Sequence, residues 1–187
     1  IFLITHSLYN PFMKINPFDE PNVKESKDNT TRILTEATRT GEFPRPSSMV
    51  KAGPSLPWEG FVSGTASGGY LALLAYADRT PASSRALTAL QGALRDRLQL
   101  PVLAGFGPRY LHSIGQLYKG GPSKGSFILF TVRDSKDAAI PHAPFSFSQL
   151  KRAQAIGDVE ALEARERPLM AVELGKDFKA GLAEVLR

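Results

Sequence analysis

The chain has 187 residues, 42% of them apolar and 22% charged, which is enough apolar material for one globular unit with a hydrophobic core. It has no cysteine, which excludes disulfides and thiolate metal sites and fits a reducing cytoplasm, and no run approaches the ~18 apolar residues of a membrane span. The net charge is +5, but the basic residues are scattered without interleaved aromatics, so we expect a cytoplasmic protein with no membrane or nucleic-acid partner.

The first predicted helix runs from Pro21 to about Arg39. Apolar residues recur there at helical spacing, and a proline that follows two acidic residues is typical of a first helical turn. Residues 41–68 are rich in proline and glycine, which predicts a linker anchored on a packed surface by its single tryptophan, Trp58. The predicted organisation is an N-terminal arm over residues 1–40, a linker over 41–68 and a C-terminal domain over 69–187.

The C-terminal domain begins with an apolar run from Tyr70 to Ala77. Its short length favours a strand over a helix. Thr80 and Pro81 then form an N-cap and first-turn pair for a helix that extends to about Leu98. Further strands are predicted over 101–105, 126–132 and 169–174, and further helices from 108, over 148–156, over 158–165 and over 176–187.

This alternation of strands and helices indicates an α/β fold. Because the predicted strands are apolar on both faces, the sheet is expected to be mainly parallel and covered on both sides. We therefore predict a three-layer sandwich with a narrow sheet of four strands, accompanied by the N-terminal helical arm.

The segment Phe106–Lys124 follows a predicted strand, and parallel sheets bind ligands at this carboxyl edge. On the helix that it predicts, His112, Gln116 and Lys119 lie at positions i, i+4 and i+7 and share one face, with Ser113 beside it. An imidazole, an amide and an ammonium on one face can bind a polyhydroxylated anion, and the imidazole can transfer a proton near neutral pH. Glycines in and beside this helix would let the backbone approach such a ligand closely.

A structural alternative stays open for each of these residues. Gln116 and Lys119 can be solvated helix surface, and one histidine at a turn is more commonly a hydrogen-bonded structural residue. Lys27 is either ordinary helix surface or a fixed cation that reaches into a site, and the same two alternatives apply to Lys176 at a strand-to-helix turn. The sequence has no His/Asp/Glu set with metal-binding spacing and no phosphate-loop motif, so no metal and no cofactor is predicted.

Two segments resemble parts of one enzyme family. Residues 15–27, INPFDEPNVKESK, resemble the NPFDQ-x-x-V-x-x-x-K segment of phosphoglucose isomerases, which carries an active-site lysine. Residues 106–122, FGPRYLHSIGQLYKGGP, resemble a segment in the C-terminal region of bifunctional transaldolase/phosphoglucose isomerases. The later AQAIGD and VELG segments also fit, so the likeness covers most of residues 15–175 and implies the C-terminal portion of such an enzyme.

The resemblance implies a sugar-isomerase-like fold and the interconversion of glucose 6-phosphate and fructose 6-phosphate through an enediol, without a cofactor. In that family a histidine helps to open the sugar ring, a lysine lies by the ring oxygen, and a separate glutamate moves the proton between two carbons. The motif match gives His112 the ring-opening role and Lys27 the lysine role. The candidate substrate contacts around them are Glu20, Arg109, Ser113, Gln116 and Lys119.

The sequence also departs from the family pattern. Glu20 replaces the usual glutamine, Ile114 the usual threonine and Tyr118 the usual histidine. The glutamate motif, the phosphate loop and the transaldolase barrel lie upstream in the family and have no match here. We therefore expect the remainder of the isomerase domain or a second subunit to complete the site, and the isolated chain to have little activity. The alternative is a non-catalytic domain that binds a sugar phosphate or mediates assembly.

Overall fold

A sheet of five parallel strands forms the centre of the fold in the computed structural model, which describes residues 14, 16, 19–53, 56–65 and 68–185. The strand order is β1-β5-β4-β2-β3, and every neighbouring pair is parallel. The strands are β1 (Met49–Lys51), β2 (Tyr70–Tyr76), β3 (Val102–Phe106), β4 (Gly125–Thr131) and β5 (Leu169–Glu173). The register sets Leu73 of β2 opposite both Ala104 of β3 and Ile128 of β4.

Helices cover both faces of this sheet. Those in the described ranges are α1 (Pro21–Thr40), α2 (Trp58–Ser63), α3 (Pro81–Leu98), α4 (Leu111–Gly120), α5 (Phe147–Glu163) and α6 (Phe178–Val185). Residues of α1, α4 and α5 form the core on one face, whereas residues of α2, α3 and α6 form the core on the other. The predicted α/β sandwich of three layers is confirmed, with five strands instead of four.

Alternate side chains of the central strands enter these two cores. In β2, Ala72, Leu74 and Tyr76 pack with α1, α4 and α5, whereas Leu71 and Leu73 pack with the helices on the opposite face. Because both faces are covered, the strand shows a continuous apolar run and no alternation of polar and apolar residues.

Local hydrogen-bond signals set several helix ends. Thr80 caps α3 through a reciprocal pair of hydrogen bonds with Ser83, and Pro81 occupies the first turn, as the sequence predicts. Ser146 caps α5 in the same way. The residue that ends α1 is Gly41, whose φ of 79° lies in the left-handed region that favours glycine.

The two helices predicted over 148–156 and 158–165 are one continuous helix, α5. Gly157, in the gap between those predictions, lies where α5 crosses α1. A Cβ atom at this position would be 3.3 Å from Cβ of Asn29. Glycine here permits close packing of two helices instead of ending one of them.

Residues 41–68 contribute regular structure that the linker prediction lacks. They contain the edge strand β1, which pairs with β5, and the short helix α2. Trp58 is only 5% exposed, which confirms its predicted role as an anchor. The predicted arm also differs, because α1 packs on α4 and α5 and places Val23 and Ile33 in the core.

Parts of three predicted segments lie outside the described residues. These are the first part of the N-terminal arm, residues 54, 55, 66 and 67 of the linker, and residues 186 and 187 of the last helix. Within the ranges that the structure covers, no helix combines the length and apolar character needed to cross a bilayer.

Gly181 and Gly92 offer a matched test of the helix packing. A Cβ at Gly181 in α6 would lie 2.4 Å from the carbonyl oxygen of Leu174, whereas a Cβ at Gly92 in α3 meets no atom within 4 Å. We expect Gly181→Ala to lower the free energy of unfolding by about 1–3 kcal/mol through overpacking. The control, Gly92→Ala, should raise it by up to ~1 kcal/mol through helix propensity. Urea denaturation measures both, and a Gly181→Ala protein as stable as the wild type would contradict this packing of α6.

Candidate functional site

The two segments that resemble the isomerase family pack against each other as α1 and α4. The backbone N–H of Asn22, in the first turn of α1, donates to Oε1 of Gln116 over 3.2 Å. Nε2 of Gln116 lies 2.6 Å from the side-chain amide of Asn22, and a Cβ at Gly115 would lie 3.5 Å from Cγ2 of Val23. The first N–H groups of a helix have no hydrogen-bond partner within the helix, and Gln116 accepts from one of them. This hydrogen bond fixes α1 to α4.

Helix α1 runs antiparallel to both α4 and α5. Each of the latter two leads from the carboxyl end of one parallel strand to the amino end of another, so they point in the same direction. Glu25, near the start of α1, pairs with Arg165 just beyond the end of α5. Phe43, beyond the end of α1, lies 4.8 Å from the guanidinium of Arg152 near the start of α5. The contacts therefore progress in opposite directions along the two helices.

Lys27 and His112 lie at the same end of the α1–α4 contact. Lys27 follows Val23 by one helical turn and His112 precedes Gln116 by one turn, and in an antiparallel pair these two steps lead the same way. Both residues are exposed. An ammonium and an imidazole are therefore presented to solvent from two adjoining helices.

Lys119, by contrast, lies inside the protein. Its side chain is 2% exposed, and its ammonium lies 2.5 Å from Oδ1 of Asp158, a fully buried carboxylate on α5. Ser26 of α1 accepts a hydrogen bond from Lys119 and donates one to the same carboxylate oxygen over 3.0 Å. The other oxygen, Oδ2, accepts from Tyr76 over 2.7 Å and from Tyr110. Four donors therefore converge on one buried carboxylate.

The two phenols in this network are held in their protonated form. Burial raises the pKa of Tyr76 well above its usual range, and the negative charge of Asp158 raises it further. Burial and then Asp158 act in the same direction on the pKa of Tyr110. Both phenols are therefore hydrogen-bond donors to Asp158 at neutral pH.

The position of Lys119 corrects the accessible face that the sequence predicts for α4. His112 is exposed and Gln116 is half-buried, whereas Lys119 is buried, because α1 and α5 cover the C-terminal half of this face. Lys119 balances the charge of Asp158 in the core, which differs from the exposed substrate contact that its spacing predicts. Gln116 is also engaged within the chain, because it accepts a hydrogen bond from the backbone N–H of Asn22 on α1.

The remaining candidate contacts divide between the two ends of the helix pair. Arg109 and Ser113 are exposed around His112, and Oγ of Ser113 donates to the carbonyl of Tyr110 over 3.1 Å. Glu20 is also exposed, but it directly precedes α1 and lies seven residues, roughly 10 Å along a helix, before Lys27. The structure thus brings Lys27, His112, Arg109 and Ser113 to one end and leaves Glu20 at the other.

The glycines of the β3–α4 region serve the packing of the chain itself. A Cβ at Gly107 would lie 2.6 Å from the ring of Tyr76, and one at Gly105 would lie 2.9 Å from Cβ of Tyr110. These glycines therefore bring the loop close to the two tyrosines that bind Asp158. Sequence analysis expected the backbone at these glycines to approach a ligand closely, whereas in the structure it approaches the side chains of Tyr76 and Tyr110.

A cavity opens at the carboxyl edge of the sheet, where sequence analysis considered Lys176 but not Arg133. Its volume is about 990 Å³, and neither Lys27 nor His112 lines it. Arg133 and Lys176, which follow β4 and β5, do line it. Basic residues shortly after two apolar strands were the available signal. Among the residues that the structure describes, no group of three or more His, Asp or Glu side chains could hold a metal ion.

Comparison with known proteins bears on the fold. No protein-family model matches the chain, and no curated protein matches it either. The chain is similar in structure to the hypothetical protein TT0462 from Thermus thermophilus, with a TM-score of 0.55 over 84% of this chain and 18% sequence identity. It spans 42% of the length of that protein, and at this identity the likeness shows the fold alone.

The buried ion pair should contribute far more to stability than a pair on the surface. We expect Lys119→Met to lower the free energy of unfolding by about 3–5 kcal/mol, because it leaves Asp158 buried without its counter-charge. The control is Arg97→Met, which removes an exposed partner of Glu59 and should leave stability nearly unchanged. Urea denaturation at pH 7 compares the two, and equal losses would refute the assignment of Lys119 to the core.

The raised pKa values of Tyr76 and Tyr110 determine how the free energy of unfolding changes at alkaline pH. Because the folded-state pKa of Tyr76 is raised, its phenol contributes stability that is complete below the unfolded-state pKa of about 10 and is lost as the pH rises. Tyr76→Phe should therefore make the decline between pH 10 and 11 shallower by about 1 kcal/mol, because the unfolded-state phenol is only half ionised at pH 10. Tyr110→Phe should act alike. Denaturant titrations at several pH values measure the slopes, and an unchanged slope in both variants is the contrary result.

Proposed function

We propose that this chain is part of a glucose-6-phosphate isomerase, which interconverts glucose 6-phosphate and fructose 6-phosphate within a bifunctional transaldolase/isomerase of the cytoplasm. The observation that carries the proposal is the α1–α4 helix pair. Two segments that resemble isomerase motifs lie far apart in the sequence and pack directly together through Asn22 and Gln116. The lysine and the histidine that the resemblance selects are exposed at one end of this pair.

His112 and Lys27 have side chains suited to opening the sugar ring. Ring opening takes a proton from the anomeric hydroxyl and returns one to the ring oxygen, and an imidazole, which can accept and donate a proton, suits such transfers. The ammonium of Lys27 stabilises the negative charge that develops on the ring oxygen. Arg109, two residues before α4, and Ser113, in its first turn, are exposed and can bind hydroxyl or phosphate oxygens of the sugar.

The proton transfer between the two carbons requires a base from outside this chain. In the proposal, a glutamate and a phosphate-binding loop come from the remainder of the isomerase domain or from a second subunit. The exposure of Lys27 and His112 leaves both of them accessible to such a partner. The transaldolase activity belongs to a separate part of the enzyme.

A second candidate function is a non-catalytic domain that binds a sugar phosphate or mediates assembly. The specific observation in its favour is that Gln116 and Lys119 are engaged inside the chain, with α1 and with Asp158. Glu20 also carries a negative charge where the isomerases have a neutral glutamine. Such a domain would keep the fold without the chemistry.

Titration with 6-phosphogluconate, a mimic of the enediolate, tests the shared site. We expect the chain to bind this ligand, and Lys27→Ala and His112→Ala each to weaken binding by roughly tenfold or more, since each removes a contact to a charged ligand. Lys24→Ala and His142→Ala are matched controls, because both residues are exposed and neither belongs to the proposed site. Isothermal titration calorimetry measures all five proteins.

Each outcome selects between the candidates. Binding that is lost in both site variants and kept in both controls supports the isomerase proposal. Binding that ignores both changes supports the non-catalytic domain, and no binding overturns the shared site. The isolated chain should not convert fructose 6-phosphate, so measurable turnover would show that it needs no outside base.

A further inference from the structure

The cavity at the carboxyl edge is separate from the helix pair proposed as the isomerase site. Its volume of about 990 Å³ lies at the upper end of the range for small-molecule pockets. It opens beyond β4 and β5, two neighbouring strands whose following helices, α5 and α6, pack on opposite faces of the sheet. Connections that leave neighbouring parallel strands on opposite faces open a crevice, and such crevices bind ligands.

The floor of this cavity is apolar. Met49, Ile156 and Leu174 line it, and each is buried in one of the two cores. Tyr76 lines it too, but its only O–H group donates to Asp158 over 2.7 Å, so its ring is what it offers to the cavity. The floor therefore suits a flat apolar group better than a sugar, whose hydroxyls need hydrogen-bonding partners.

The rim of the cavity carries positive charge. Arg133, Lys176, Lys51 and Arg152 line it, and within the described part of the chain none of them has a carboxylate partner at ion-pair distance. The backbones at Arg133 and Lys176 adjoin, because the N–H of Arg133 donates to the carbonyl of Gly175, the residue before Lys176, over 2.7 Å. Two adjacent cations without a counter-ion are stabilised by a bound anion.

The lining also holds five acidic residues, two of which pair with further cations, so among the described residues the four unpaired cations exceed the remaining three acids by one charge. Asp134 pairs with Lys151, and Glu173 lies 3.7 Å from Arg45. Asp137 accepts hydrogen bonds from the backbone N–H groups of two residues, and Asp177 accepts one at the start of α6. Hydrogen bonds, first that of Ser146, lower the pKa of Asp137 to about 2, so this carboxylate keeps its negative charge at neutral pH.

We propose that this cavity binds a small molecule that carries a phosphate and a flat apolar ring, as a nucleoside monophosphate does. The phosphate lies between Arg133 and Lys176, and the ring lies on the floor beside Tyr76. This site is additional to the proposed isomerase site and uses neither Lys27 nor His112.

Calorimetric titration with adenosine 5′-monophosphate, adenosine and ribose 5-phosphate tests the proposal. We expect adenosine 5′-monophosphate to bind the chain at least about tenfold more tightly than either of the others, because only it fills both parts of the cavity. Arg133→Ala and Lys176→Ala should each weaken its binding about tenfold or more. Lys136→Ala is the matched control, since it removes an exposed cation that does not line the cavity.

The outcomes are decisive in both directions. The expected order of ligands, lost in the two rim variants and kept in Lys136→Ala, supports the site. Failure of adenosine 5′-monophosphate to bind, binding that both rim variants preserve, or equal binding of adenosine or ribose 5-phosphate overturns it. Lys27→Ala should leave this binding unchanged while it weakens binding of 6-phosphogluconate, so the two proposals can fail independently. Circular dichroism confirms that the variants, all changed at exposed positions, are folded.

Discussion

The buried carboxylate of Asp158 is the constraint on which much of the structure depends. A charge in a protein interior is costly unless hydrogen bonds and an opposite charge surround it. Here the donors come from four places in the fold: Ser26 on α1, Lys119 on α4, Tyr76 on β2 and Tyr110 in the loop before α4. Because each must keep its hydrogen-bond geometry, the carboxylate on α5 fixes two further helices and the sheet relative to one another.

This constraint matters most for α1, which packs on α4 and α5. Apolar contacts are non-directional and would tolerate a small slide or rotation of the helix. The bonds from Ser26 to Asp158 and from Asn22 to Gln116 tolerate far less, and they lie on either side of Val23. They therefore set the register that turns Lys27 toward the same end of the helix pair as His112, so residues that do not touch a substrate determine the geometry of the proposed site.

How far the sequence predicts this molecule depends on how local each signal is. The runs of β2 and β4 and the Thr80 cap were predicted because each is contained in a few consecutive residues. The three-residue strand β1 could not be predicted, because it owes its pairing to β5 and has no pattern of its own. Lys119 resembled a solvated residue at a helix end, since its partner Asp158 is 39 positions away. Helical spacing placed His112 on one face with Gln116 and Lys119, but it could not show which of the three α1 and α5 cover. The common end of His112 and Lys27 likewise required the antiparallel packing.

Tyr76 contacts both the carboxyl-edge cavity and the buried hydrogen-bond network, through different parts of its side chain. Its ring lines the carboxyl-edge cavity, and its hydroxyl belongs to the network that holds α1, α4 and α5. The phenol has one proton to donate, and releasing Asp158 to bind a ligand would leave a buried carboxylate short of a donor. A ligand in the cavity can therefore contact the ring but cannot compete for the hydroxyl. A ligand in the cavity would affect the helix pair only if it bound one position of the Tyr76 ring more tightly than another. A ligand that contacts both positions equally well does not change their relative populations.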